Sequence, residues 1–250
     1  MVWHRVILRG IFVTAVDSYM LAVVLSSQAE SICGVVSVRS ILTGAAPLFV
    51  RGIQMITPSV EQIIRVMNSH GYKVFETGSF NLNLIGIRHG LVATNKFTDT
   101  FVVLYKDGGL WVRKVYPCTT VPGLYHLKNG LAKGTAILVP GQYRGAYERG
   151  LHKGEYMALV QRKPVTVYRD RDKDCDLDYE NPETGMFGIN IHRATANGIS
   201  KQVDKWSAGC TVLASSADFA ELMRLTNAQI DMGYGRTFTY TLLEEGDFYA

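Results

Sequence analysis

TFVVLYKDGGLWVRKVY, residues 100–116, is the stretch from which the rest of the chain is read. Two runs of β-branched and aromatic residues, Thr100–Lys106 and Leu110–Tyr116, flank Asp107-Gly108-Gly109. An Asp-Gly turn tolerates the positive φ of a tight hairpin, so the stretch predicts two antiparallel strands. Working outward, similar runs stand at Leu82–Ile87, Thr135–Val139, Tyr156–Gln161, Val165–Arg169 and Phe187–His192, and RTFTYTLLE (236–244) closes the chain. Strands at such short spacing predict a mainly β, β-rich α+β domain, a sandwich or barrel with a few short helices. One helix is expected after Thr57 as N-cap and Pro58, where Val60, Ile63, Ile64 and Met67 share a face before Gly71. A second is expected over Ala217–Leu225, capped by Ser215 or Ser216.

The composition suits such a fold. Of 250 residues, 47% are hydrophobic and 19% charged, which excludes a disordered or collagenous chain. Twenty-six basic against 22 acidic residues leave a net charge of +4, too weak a field to indicate a nucleic-acid partner. The four cysteines, Cys33, Cys118, Cys175 and Cys210, form no CxxC pair and are too sparse for a disulfide-stapled scaffold. His4, His70, His89, His126 and His152 show no HxxxH or HExxH spacing, which disfavours a zinc peptidase.

Residues 1–54 read differently from the rest. Arg5 and Arg9 precede the apolar run Ile11–Leu25, and SSQAES follows it, in the order of an export signal or anchor. Asp17 interrupts the run. The segment is read as an N-terminal extension, signal-like or the product of an early start, with Met55 opening the domain of residues 55–250 and its leading amphipathic helix. A membrane partner is expected only if this segment anchors.

The chemistry concentrates in GMFGINIHRATANGISKQVDKWSAGCTVL, residues 185–213. His192 ends an apolar run, and Cys210 follows Ser207-Ala208-Gly209. A thiol nucleophile needs a base to take its proton and backbone N–H groups aimed at the developing oxyanion, which a small-residue turn can supply. His192, fourteen residues, then Ser207, Ala208, Gly209 and Cys210 resembles the signature of L,D-transpeptidase (YkuD-type) catalytic domains. Thr119-Thr120-Val121-Pro122-Gly123-Leu124-Tyr125 is similar to that family's Thr-Pro-x-Gly-x-aromatic segment. The resemblance covers about residues 98–225.

The resemblance implies a cysteine enzyme acting on peptidoglycan stem peptides. Cys210 would form the acyl-enzyme, His192 would be the base, and the Arg193 carbonyl would orient its ring. N–H groups near Gly209 and Cys210 would make the oxyanion hole. No cofactor is required by that chemistry. The chain departs from the family after the cysteine, where Thr211 and Val212 stand in place of an aliphatic residue and an arginine. Arg193, Lys205, Arg144 and Arg149 are the candidates to replace that carboxylate clamp. The departure keeps open a carboxypeptidase or endopeptidase on the same substrate, or a non-catalytic wall-binding or virion structural module. The implied setting is the cell envelope, or a phage-encoded protein carried in a virion.

Two further stretches carry expectations. GQYRGAYERGLHKG, Gly141–Gly154, is punctuated by glycine and reads as a mobile loop, with Tyr143 and Tyr147, together with Trp206, as candidate substrate contacts. In DRDKDCDLDYEN, residues 170–181, Asp170, Asp172, Asp174 and Asp178 match positions 1, 3, 5 and 9 of a calcium loop. Cys175 stands where such loops need glycine and Asn181 where they need glutamate. The two outcomes open for this turn are a structural calcium site and a solvated acidic turn balanced by Arg169, Arg171 and Lys173.

Overall fold

The computed structural model describes residues 57–90, 95–130 and 133–249. The reading of residues 1–54, and of Met55 as a start, lies outside them. Eight strands close into a barrel: β1 (Asn83–Arg88), β2 (Asp99–Asp107), β3 (Leu110–Thr119), β5 (Gly141–His152), β6 (Tyr156–Gln161), β9 (Ile191–Arg193), β10 (Thr211–Leu213) and β11 (Thr237–Glu244). Around the barrel the order is β1-β11-β5-β6-β9-β10-β3-β2, with β4 (Thr135–Leu138), β7 (Val165–Asp170) and β8 (Glu183–Gly185) forming a separate three-stranded sheet. The helices are α1 (Val60–Ser69), α2 (Leu124–Asn129) and α3 (Ser216–Asp231). The mainly β expectation holds.

The hairpin forms as read: Asp107 pairs with Leu110 across Gly108 and Gly109, whose φ values of +55° and +84° suit a primed turn. Strand β2 is apolar on both faces because both are covered. Phe101, Val103 and Tyr105 point into the barrel core with Leu84, Tyr147 and Tyr240. Val102 and Leu104 point outward onto Ile63, Val66 and Met67 of α1, together with Ile85 and Ile87 of β1. The leading helix therefore covers one outer face of the barrel. Its cap is Ser59 rather than Thr57: the Ser59 hydroxyl accepts from the Gln62 N–H at 3.2 Å, and the Gln62 side chain accepts from the Ser59 N–H at 2.7 Å. That reciprocal capping box satisfies two helix-end donors, which Thr57 lies too far out to reach.

The run Gly141–Gly154 is not a loop. It supplies β5, paired with β11 on one side and β6 on the other. Its glycine at 145 has φ +57° and donates its N–H to the Thr239 hydroxyl, beside the register break between Phe238 and Tyr240. The glycine marks a bulge in a curved strand, a use that resembles loop punctuation in sequence. The run Phe187–His192 forms ladder structure only at its end, in β9. The Gln161 side chain accepts from the Phe187 and Ile189 N–H groups, so those residues are held without a strand partner.

A buried polar knot fixes the 119–125 segment. Arg88, 1% exposed, donates to the Thr120 hydroxyl and carbonyl and to the Leu138 carbonyl. Asp99 accepts from the Thr120 N–H at 2.7 Å and from its hydroxyl at 2.8 Å. Arg88 and Asp99 thus hold Thr120 from two sides through buried hydrogen bonds. Among the described residues, no helix is long and apolar enough to cross a membrane.

Candidate active site around Cys210

Parallel pairing of β9 with β10 brings the two halves of the candidate site together. Thr211 is opposite Ile191 and Val212 opposite His192, while the Thr211 N–H donates to the Asn190 carbonyl. Cys210 is half-buried just before β10. Its Sγ accepts from the Asn190 N–H at 3.3 Å, and its thiol faces the Gly188 carbonyl at 3.5 Å. Burial pushes the thiol pKa up, against the opposing pull of the Asn190 N–H and the Lys153 charge, so the resting group is a protonated thiol.

The loop ahead of the cysteine is braced from within. Ser207, fully buried, donates its hydroxyl to the Cys210 carbonyl at 2.8 Å and accepts from the Gly209 N–H at 3.2 Å. Gly209 has φ +124°, and a Cβ there would lie 2.3 Å from the Ala136 carbonyl oxygen of β4. Only glycine fits that approach. The expected oxyanion hole is narrowed accordingly: the Gly209 N–H is already engaged by Ser207, whereas the Cys210 N–H makes no hydrogen bond to another described residue.

His192 is buried in β9 with its Nδ1 2.9 Å from the Arg193 carbonyl. A carbonyl only accepts, so Nδ1 carries the proton and Nε2 keeps its lone pair. The Tyr156 hydroxyl donates to the same carbonyl at 3.3 Å and lies 3.4 Å from Nδ1. The Arg193 guanidinium lies over the Tyr156 ring, 4.3 Å from its centroid. Burial, then the neighbouring His152, lowers the His192 pKa to about 3, so the imidazole is neutral at ordinary pH. Among the described residues no hydrogen bond joins His192 to Cys210.

The two sequence segments that carried the resemblance meet in space. The Gly123 N–H donates to the Ser207 carbonyl at 3.0 Å, and a Cβ on Gly123 would lie 2.2 Å from the Asp204 carbonyl oxygen. Beside this contact Leu124, Tyr125, Lys128, Asn129, Asp204, Lys205 and Trp206 line a cleft of about 560 Å³. The Lys205 ammonium lies over the Tyr125 ring at 4.4 Å, and Trp206 is 44% exposed. The cleft is aromatic and cationic, fit for a flat or anionic group.

The other candidate contacts lie elsewhere. Tyr147 is fully buried in the barrel core, its ring edge-on to Tyr240, and presents no surface. Tyr143 packs on the same core and donates its hydroxyl to the Val139 carbonyl at 2.6 Å. Both belong to a strand read as a loop, which is why an exposed role was expected of them. Of the cations considered as a clamp, Arg149 is tied to the Met223 carbonyl and the Thr226 hydroxyl, and Arg144 lines a different cleft with Lys163 and Gln229. Lys205 lies in the segment that leads to Cys210, whereas the Arg193 guanidinium donates to the Ala196 carbonyl and lies over the Tyr156 ring. Val212, at the family's arginine position, is wholly buried.

Four residues of the site carried no signal in sequence. His152, at the end of β5, stacks on His192; its Nδ1 accepts from the Asn190 side-chain amide at 3.1 Å. Asn190 is oriented by the Gln161 N–H, which donates to its Oδ1 at 2.9 Å. Tyr156 is the fourth. His152, Tyr156 and Gln161 come from β5 and β6, distant in sequence from Cys210, and Asn190, two residues before His192, meets His152 only through the fold, so no local spacing reveals them.

No family model, curated protein or solved structure matches this chain. What can be said of its function therefore rests on its own residues.

The acidic turn follows β7. The carboxylates of Asp170, Asp172 and Asp178 approach within 4.8 Å of one another, but Asp174 does not join them. Its Oδ1 instead accepts from the Asp176 N–H at 2.9 Å. Asp170 is buried, and desolvation followed by the charges of Asp178 and Asp172 raises its pKa to about 7. Cys175 is disulfide-bonded, and Cys118 is a free thiol buried in the barrel core.

Proposed function

We propose that this chain is a cysteine-dependent acyltransferase of the L,D-transpeptidase kind, acting on peptidoglycan stem peptides. The observation that carries the reading is the Nδ1 proton of His192 held on the Arg193 carbonyl. It leaves a neutral Nε2 as a base on the strand paired in parallel with that of Cys210.

In this reading the Cys210 Sγ attacks the carbonyl of the third stem residue, and the thiol proton passes to His192 Nε2. The Cys210 N–H donates to the developing oxyanion. The C–N bond to the terminal D-alanine breaks, and its nitrogen takes the proton from His192. An amine of a second stem then attacks the thioester carbonyl and forms the crosslink as the C–S bond breaks. The amine's proton passes through His192 to the departing Cys210 sulfur, with water as the competing acceptor. Proton transfer requires the thiol to turn from the Gly188 carbonyl toward His192 as substrate fills the site, a tightening common on substrate binding. Trp206, Tyr125 and Lys205 would hold the stem or glycan beside the nucleophile. No metal or cofactor is called on.

One observation favours a second reading. The protonated thiol rests against Gly188 with no bond to His192, as in a wall-binding module that retains the fold without catalysis. Mass spectrometry of purified muropeptides incubated with the protein and with Cys210→Ala separates the cases. New crosslinks between third stem residues, absent with Cys210→Ala, support transpeptidation. Loss of a terminal residue or opened crosslinks, again Cys210-dependent, supports hydrolysis. No Cys210-dependent change across several wall types, with wall affinity retained, establishes the module.

A further inference from the structure

The geometry points to a Ca²⁺ site in the β7–β8 turn, formed by Asp170, Asp172 and Asp178. The carboxylates lie within 4.8 Å of one another, about the span of one calcium coordination shell with oxygens at 2.3–2.6 Å. A cluster of acids on a surface would mean little, but Asp170 is not on the surface. It is 2% exposed, and its Oδ2 has no hydrogen-bond partner among the described residues. The Asp178 N–H reaches the Asp170 carboxyl, yet Oδ2 is left without a donor, and a cation at the cluster would supply its partner.

The neighbouring bases do not supply it. Arg169 donates to Glu183 at 2.7 Å and lies over the Phe187 ring. Arg171 faces Glu183 as well, at 3.7 Å. Among the described residues no lysine or arginine makes an ion pair with Asp170, Asp172 or Asp178. Arg169 and Arg171 thus direct their close ionic contacts to Glu183 rather than to the three aspartates.

The turn is also held in shape. Leu177 is buried with Val121, Leu127 and Ile137, and Tyr179 packs against the same cluster. Cys175 takes φ +76° at the position where calcium loops use glycine. Three carboxylates in one turn suit Ca²⁺, which accepts many oxygen ligands in flexible geometry. Mg²⁺ usually takes one or two carboxylates and keeps its waters. Asp172 is exposed, which leaves one side of the site open to water ligands. The ion would steady the route from β7 to the nucleophile loop, because Asp170 pairs with Thr135 of β4 and Gly209 packs on Ala136. The inference does not depend on the proposed catalysis.

Calorimetric titration of the full chain with CaCl₂ and with MgCl₂ tests it, after chelator treatment, with far-UV circular dichroism as the control for folding. One Ca²⁺ per chain is expected, with Kd of roughly 10⁻⁴–10⁻³ M, the range of weak calcium modules. Asp172→Asn and Asp178→Asn should each weaken binding by at least about tenfold, as loss of a charged ligand does. Asp174→Asn, outside the cluster, should leave it unchanged. The inference is overturned by no heat of binding up to about 10 mM Ca²⁺, by equal affinity for Mg²⁺, or by an Asp174→Asn loss as large as that of Asp172→Asn. Asp172 is exposed, so its variant tests the site without disturbing the core.

Discussion

The imidazole of His192 lies against that of His152, ring centroids 4.1 Å apart and planes inclined by 23°. Both pKa values are lowered, chiefly by burial. The stack shields the His192 ring from water and fixes its plane, while the Arg193 carbonyl fixes its tautomer. His152→Ala should admit water and raise the His192 pKa by at least about one unit. His152→Phe, which keeps a flat apolar ring, should hold it low. Histidine NMR titration of the two variants reads the difference. A His192 midpoint unmoved in His152→Ala would show that the stack does not control the His192 protonation.

Burial raises the Cys210 thiol pKa, and the neutral His192 beside it supplies no positive charge to lower it. Alkylation of Cys210 by iodoacetamide should therefore be slow at neutral pH and climb only above the ordinary thiol range, about 8.5. Peptide mapping across pH 6 to 11, with Cys118 as the buried internal control, measures it. A midpoint near pH 6 would mean a preformed thiolate–imidazolium pair and would contradict the neutral resting site.

Acid should destabilise the fold through His192. Between pH 6.5 and about 3 the unfolded chain binds a proton there that the folded chain does not, so stability falls as pH falls through that window. Its slope is at most about 1.4 kcal/mol per pH unit for this group. His152, also lowered, acts in the same direction. Urea unfolding from pH 7 to 4 should show a steeper loss in the native protein than in His192→Gln, and equal slopes would remove His192 as the cause.

Gly209→Ala should destabilise the Cys210 loop. The new Cβ meets the Ala136 carbonyl oxygen at 2.3 Å and sits at φ +124°, a strain of about 1–3 kcal/mol before the contact itself is counted. Thermal unfolding should show the loss, and Cys210 alkylation should change rate because the Ser207 brace is displaced. Wild-type unfolding and reactivity in Gly209→Ala would refute the close packing of this loop on β4.

Ser207→Ala removes the hydroxyl that both donates to the Cys210 carbonyl and accepts from the Gly209 N–H. A loss of about 1–3 kcal/mol is expected, because two buried backbone groups lose their partner. Ser207→Thr, which keeps the hydroxyl, should recover part of it. Denaturant midpoints of the two variants decide the matter.

Legibility differed from element to element. The hairpin around Gly108-Gly109 was readable because turn chemistry and strand propensity act locally. Strand β5 was not, because Gly145 marks a bulge that only its partner β11 explains. Thr57 resembled a cap, yet Ser59 with Gln62 satisfied more of the helix's free donors. At the candidate site, Cys210, Ser207, Gly209 and His192 were legible as a spaced motif, whereas His152, Asn190, Gln161 and Tyr156 were silent.

The sequence by itself determined the local choices: which runs extend, where the chain turns, and which thiol stands in a small-residue loop. These follow from the preferences of each residue and its near neighbours. Tertiary structure alone decided that Tyr147 is core rather than binding surface, that His192 is neutral and stacked, and that Asp170, Asp172 and Asp178 converge without Asp174. Burial and hydrogen-bond partners across the barrel set those outcomes, and both depend on strands far apart in the chain.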